Sequence, residues 1–253
     1  MFDAAIWATQ NSAQGDRPDN GRREMSTNEF DGQYYEVATP GSLSEKLVAV
    51  ARDQVYADFL RLCEPNASDT ILDVGVSDVV GDAANVIERR YSVQNKITAV
   101  GLGQGDAFKV SFPKIQYRQI AANQALPFGD GSFDIVTANA VLEHVGSTQN
   151  QHFFISELMR VGKRVYVTVP HRFFPVEHHT GIPFFHWFDA TFPLACRALG
   201  KEKWAASENL ILMSRQRLKD ASPKNRTIEI GMTGIMLGPC SSNLYLFATA
   251  PQS

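Results

Sequence analysis

Apolar residues recur along this chain in short uninterrupted runs, separated by polar turns that carry glycine. The clearest run lies in Thr70-Ile71-Leu72-Asp73-Val74-Gly75-Val76-Ser77-Asp78. Ile71, Leu72 and Val74 show no polar alternation, as expected of a parallel strand covered on both faces. Asp73 interrupts the run near its C-terminal end, where open α/β sheets place their ligands. Gly75 follows, where the chain must turn tightly and let a ligand approach the backbone. A helix is expected to start near Asp82, with Ala83, Ala84, Val86 and Ile87 as its apolar positions.

The other elements follow from the same pattern. A helix opens at Ser42 or Ser44, presents Leu47, Val48, Val50, Ala51, Val55, Phe59 and Leu60 on one face, and ends before Pro65. Further strands are expected at 96–102, 115–120, 133–136 and 164–169, the last closed by Pro170. A Gly-Asp-Gly-Ser turn precedes the strand that begins at Phe133. A helix is expected over 148–160, with helical patterns near 189–199 and 207–220. Two final strands, about 226–231 and 243–249, are joined by a turn at Gly238 and Pro239 and can pair antiparallel. Strands alternating with helices predict an α/β fold: a mostly parallel, seven-stranded sheet with helices on both faces and an antiparallel last strand. Residues 1–40 lack a period and read as a mobile N-terminal arm, and residues 41–253 as a single domain. Residues 171–188, rich in His, Pro and aromatics, read as an insertion over the C-terminal edge of the sheet, forming a lid on the ligand site.

Composition narrows the functional classes. A 44% hydrophobic content supports a sizeable core, and a net charge of −3 gives no reason to expect a nucleic-acid partner. Cys63, Cys196 and Cys240 lie too far apart for a zinc motif or a disulfide framework, which suits a reducing, cytoplasmic setting. No window reaches the roughly 20 apolar residues of a membrane span.

Three segments in order resemble the class I S-adenosylmethionine (SAM)-dependent methyltransferases with small-molecule acceptors. They are Ile71-Leu72-Asp73-Val74-Gly75, the stretch from Leu126-Pro127-Phe128 to Phe133-Asp134-Ile135-Val136, and Ala140-Val141-Leu142-Glu143-His144-Val145. The stretch Pro170-His171-Arg172-Phe173-Phe174-Pro175-Val176-Glu177-His178-His179-Thr180 further resembles a subgroup often met among polysaccharide or lipopolysaccharide biosynthesis proteins. The resemblance implies a Rossmann-like methyltransferase fold and SAM as cofactor, held near Asp73, Gly75, Ser77, Gly101, Leu102, Ala122, Asn123 and Asn139. Some of these positions depart from the family pattern. Ser77 stands where a second glycine is usual. Gly101 and Leu102 stand where an acid usually holds the ribose, and Ala122, next to Asn123, where an aspartate usually meets the adenine. Each lost charge-assisted bond weakens binding by roughly 1.5–3 kcal/mol.

The reaction expected is methyl transfer to a small molecule or a sugar or glycan, at oxygen. Such an acceptor must be aligned with the methyl group and lose a proton. Four of the chain's six histidines, His171, His178, His179 and His186, fall in the insertion beside Glu177. His179, helped by Glu177, is the favoured general base, with His144 as a second candidate next to Glu143. Imidazole and carboxylate ligands also suit a divalent metal, but the spacing matches no zinc motif and no metal is expected. Phe173, Phe174, Phe184, Phe185, Trp187 and Phe188 could line an acceptor pocket or make peripheral contact with a membrane carrying a lipid-linked substrate. The alternative class, motivated by the missing acids, is a methyltransferase-fold protein without catalysis that serves as a binding or partner subunit. A nicotinamide-dependent oxidoreductase is disfavoured, because no G-x-G-x-x-G follows the first strand.

Overall fold

A computed structural model describes residues 43–78 and 85–250 of the 253-residue chain. The expected arm at 1–40 and the expected helix start near Asp82 lie outside these residues. In chain order the elements are α1 (Leu43–Cys63), β1 (Ile71–Val74), α2 (Val86–Arg90), β2 (Ile97–Gly101), α3 (Asp106–Ser111), β3 (Gln116–Gln119), β4 (Phe133–Asn139), α4 (Thr148–Val161), β5 (Gly162–Pro170), α5 (Phe192–Ala198), α6 (Arg215–Asp220), β6 (Thr227–Leu237) and β7 (Cys240–Thr249). The sheet order is β3-β2-β1-β4-β5-β7-β6. β1 to β5 are mutually parallel, and β7 runs antiparallel to both β5 and β6. This is the expected mostly parallel sheet with an antiparallel last strand.

Period-two alternation sorts the strand residues between two cores. Leu72, Val74, Val165, Val167, Leu244 and Leu246 pack with Ile155 and Leu158 of α4 on one face. Ile71, Ile97, Tyr166 and Tyr245 pack with Val55 and Phe59 of α1 and Ile87 of α2 on the other. Removing roughly 25 cal/mol per Å² of apolar surface from water on both faces supplies the main driving force. The resemblance segment Phe133-Asp134 has a structural job. Asp134 accepts from the backbone N–H and the hydroxyl of Thr70, both at 2.9 Å, and from Lys163 at 2.8 Å, which fixes β4 against the entry to β1.

Two expectations are revised. α3 was not foreseen, because six residues give too short a window for a helical period. The pattern at 207–220 is helical only over α6. Its first part is a turn over 207–209 followed by an extended run, with Ile211 N–H donating to the Glu143 carbonyl at 2.8 Å and Arg172 N–H donating to the Met213 carbonyl at 2.9 Å. Backbone groups with neighbours at the sheet edge satisfy their hydrogen bonds there rather than within a helix.

Candidate active site

The carboxyl ends of β1, β2 and β4 surround a cavity of about 430 Å³, within the range of small-molecule sites. Its wall includes Val74, Gly75 and Val76 after β1, Gly101 and Leu102 at the end of β2, and Ala122, Asn123 and Leu126 beyond β3. Val141, His144 and Gly146 after β4, and Asn150 and Phe154 of α4, complete much of the remainder. Gly75, Gly101, Leu102, Ala122 and Asn123 therefore come together as expected.

Gly75 has φ +92°, and a Cβ there would run into the side chain of Val141. Its N–H donates to the Val100 carbonyl at 2.8 Å, which pins the turn to β2. The absence of an acid at Gly101 has a local cause. A Cβ there would lie 2.9 Å from the Tyr117 hydroxyl and 3.1 Å from the Val76 carbonyl. Tyr117 in turn donates to the Gly103 carbonyl at 2.6 Å. The phenol occupies the space a longer side chain would need. The sequence reading missed this residue, whose only signal was an aromatic on an otherwise polar edge strand.

Asp73, Ser77 and Asn139 support the wall from behind rather than lining it. Asp73 is buried and accepts from Thr137 Oγ1 at 2.5 Å. It lies against Glu88, which is fully buried. Burial, reinforced by the neighbouring Asp73 charge, pushes Glu88 well above the usual carboxylate range. Burial also raises Asp73, so the pair resists double ionisation. Ser77 exchanges two hydrogen bonds with Asn85: its N–H donates to Oδ1 at 2.9 Å, and Nδ2 donates to its carbonyl at 2.7 Å. Asn139 ends β4 and accepts from the Thr168 hydroxyl on β5.

The histidines divide sharply. His171 bonds the Ser241 carbonyl, His186 bonds the Phe174 carbonyl at 2.8 Å, and exposed His178 packs edge-on to Phe174. These three brace the insertion. His179 stands apart, with its Nε2 3.1 Å from Nε2 of His144. His144 lines the cavity, whereas no residue of 171–188 does. The insertion thus does not form the lid expected of it among the described residues, and its His179 meets the cavity-lining His144. The Trp204 ring, at 1% exposure, covers both imidazoles, with centroids 6.1 Å from His144 and 4.9 Å from His179.

Each ring is held from its far side. His144 Nδ1 donates to the Asn209 carbonyl at 2.7 Å, an acceptor brought in by the turn at 207–209. His179 Nδ1 lies 2.8 Å from Glu177 Oε1. Glu177 Oε2 accepts from the N–H of His179 at 3.0 Å and from the N–H and hydroxyl of Thr180, both at 2.7 Å. Burial alone would raise Glu177, but His179 and these donors outweigh it and hold the carboxyl at about 2. Burial drives His144 down to about 3, so its imidazole is neutral. Glu143, also at the site, is 1% exposed, and its carboxylate oxygens have no hydrogen-bond partner among the described residues. Burial raises it to about 7. Asn209, Trp204 and the isolation of Glu143 carried no sequence signal, because each acts through long-range contacts.

The sheet order with its single antiparallel strand matches the Rossmann-like fold of solved SAM-dependent methyltransferases. Residues 72–165 match a family described as a methyltransferase domain. Among solved structures, a SAM-dependent methyltransferase from Aquifex aeolicus is similar at 14% identity and a TM-score of 0.50, over 89% of this chain and 98% of that one. A chain of the complex between the Haloferax volcanii Trm112 methyltransferase activator and its methyltransferase is similar at 13% identity and a TM-score of 0.52, over 83% and 93%. PigF with SAH is similar at 16% identity and a TM-score of 0.52, over 88% of this chain and 59% of that one. No curated protein matches the sequence. No described helix is long and apolar enough to cross a membrane.

Proposed function

We propose that this protein is an active SAM-dependent methyltransferase that methylates an oxygen of a small-molecule or glycan acceptor. One observation carries the reading: the cavity at the strand ends has the glycine corner of Gly75 and Gly101 on one wall and His144 on another, with His179 directly behind it. Gly75, Gly101, Leu102, Ala122 and Asn123 would contact the cofactor, largely through backbone and apolar groups. Asp73, Ser77 and Asn139 would hold that wall in shape. The transfer forms a carbon–oxygen bond as the sulfonium carbon–sulfur bond breaks, and the acceptor oxygen gives up its proton. His144 and His179 present two ring nitrogens to one point beside the cavity, where they prepare that oxygen. Glu177 is a positioning residue that fixes the His179 ring.

The polysaccharide-type acceptor rests on the resemblance of residues 170–180. The test is a screen of nucleotide sugars and glycans with labelled SAM. Once an acceptor is found, His179→Ala should lower turnover by roughly 100-fold or more with cofactor affinity retained. Full turnover in that variant would overturn the assignment. Cofactor binding with no acceptor methylated across that screen would favour the partner-subunit alternative instead.

A further inference from the structure

We propose that Glu143, His144 and His179 form a binding site for one divalent first-row metal cation of octahedral preference, beside the cavity at the strand ends. The argument begins with hydrogen positions. A backbone carbonyl only accepts, so His144 Nδ1 at 2.7 Å from the Asn209 carbonyl carries the hydrogen. The same holds for His179 Nδ1 against the Glu177 carboxylate at 2.8 Å. In the neutral rings both Nε2 atoms then bear lone pairs, and these lie 3.1 Å apart. Two lone pairs converging at that distance repel, and a cation where they meet, either a proton or a metal ion, relieves the repulsion.

Glu143 decides for the metal. Its Oε1 lies 3.9 Å from His144 Nε2, and the three side chains offer ligand atoms all within 4.8 Å of one another. A proton shared by the two imidazoles would leave the Glu143 carboxylate buried without a hydrogen-bond partner, a costly arrangement. A metal ion satisfies all three groups at once. With metal–nitrogen distances of about 2.1 Å, a 3.1 Å separation gives an N–metal–N angle of roughly 95°, close to the octahedral right angle and below the tetrahedral one. Two histidines and one carboxylate on one face leave further positions for oxygen ligands. The outer contacts are also those of a metal site, since each imidazole donates its remote N–H to a carbonyl or a carboxylate. His144 also lines the cavity, which places the site beside the space an acceptor would enter.

This inference deepens the proposed function and rests on it only for what the cation does. An acceptor hydroxyl bound to the metal is a stronger acid, and its proton leaves to solvent water as the oxygen attacks the methyl group. His179 is then a ligand rather than the general base its sequence context suggests.

The test uses the full chain stripped with a chelator. Titration with Mn²⁺ by calorimetry should give one saturable site per chain, and Co²⁺ should give weak octahedral absorption bands. Pulsed EPR of the Mn²⁺-loaded wild type should show nitrogen couplings from two imidazoles, a readout that needs no variant. Glu143→Gln and His179→Asn should each weaken Mn²⁺ at least tenfold, and Glu177→Gln by 10- to 100-fold through the misplaced ring. Titration of the same proteins with S-adenosylhomocysteine separates the two readings. Metal binding without nucleoside binding would sink the proposed function and leave the metal site standing. No saturable Mn²⁺ binding by the wild type, no nitrogen coupling, or unchanged affinity in folded Glu143→Gln would overturn the site.

Discussion

Replacing Glu177 by glutamine tests how the histidine cluster is held. The wild-type carboxylate accepts four hydrogen bonds, two from backbone N–H groups and two from side chains, while nearly excluded from water. Its fall from an ordinary 4.5 to about 2 corresponds to about 3 kcal/mol in favour of the ionised form in the folded state. The amide keeps one acceptor oxygen, which can stay with the three donors on the Oε2 side. Its NH₂ then faces His179 Nδ1, where donor meets donor unless the imidazole changes tautomer. We expect a loss of up to about 3 kcal/mol near neutral pH, or about 6–12 °C in melting temperature for a domain of this size. The sign with pH follows from a depressed folded-state pKa. The stabilisation is fully present above about 4.5 and is lost as pH falls toward about 2. The melting-temperature gap between wild type and Glu177→Gln should therefore be constant from pH 8 to 5 and close below 4.5. A gap under about 2 °C at neutral pH, or one that widens on acidification, would refute the reasoning.

Other outcomes follow from the same geometry. Gly101→Asp should not restore a ribose anchor. With the Tyr117 hydroxyl and the Val76 carbonyl in the way, it should cost about 1–3 kcal/mol in urea unfolding and leave cofactor affinity no better. Glu88→Gln should flatten the fall in stability as pH rises above about 4.5, read from melting temperatures across pH. The raised pKa of Glu88 means the folded state holds a proton that the unfolded chain releases above about 4.5, a cost the amide avoids. Asp134, held at about 2 chiefly by Lys163 and then by the Thr70 N–H, contributes stability above about 4 that fades toward pH 2. Asp134→Asn should lower the neutral-pH melting temperature by about 2–4 °C and remove that part of the acid dependence, as read by calorimetric melts.

Most of the sheet was legible because its signals are local. Ile71 to Val74 and Val165 to Val169 are mostly apolar and buried on both faces, and only Gly238 and Pro239 separate the last two strands. The turn at 207–209 and the extended path that follows to Met213 were not legible, since their apolar residues fit a helical period and long-range contacts with Glu143 and Arg172 select the other conformation. The cavity wall was half legible. Gly75 and Asn123 announce themselves by position, whereas the exclusion of an acid at Gly101 depends on a tyrosine from another strand. His179 stood out by its local motif. That it meets His144 across 35 positions, and that Glu143 lies unpartnered beside them, are facts of tertiary structure.

The central claim is that the cavity at the carboxyl ends of β1, β2 and β4 binds the methyl donor, and calorimetric titration with S-adenosylhomocysteine tests it most directly. Ala122→Trp serves as the blocking variant, because Ala122 sits on an exposed loop that can carry the ring into the cavity without disturbing either core. The account predicts one nucleoside per wild-type chain and at least a tenfold loss of affinity in Ala122→Trp at an unchanged melting temperature. No binding by the wild type, or equal affinity in the variant, would contradict it.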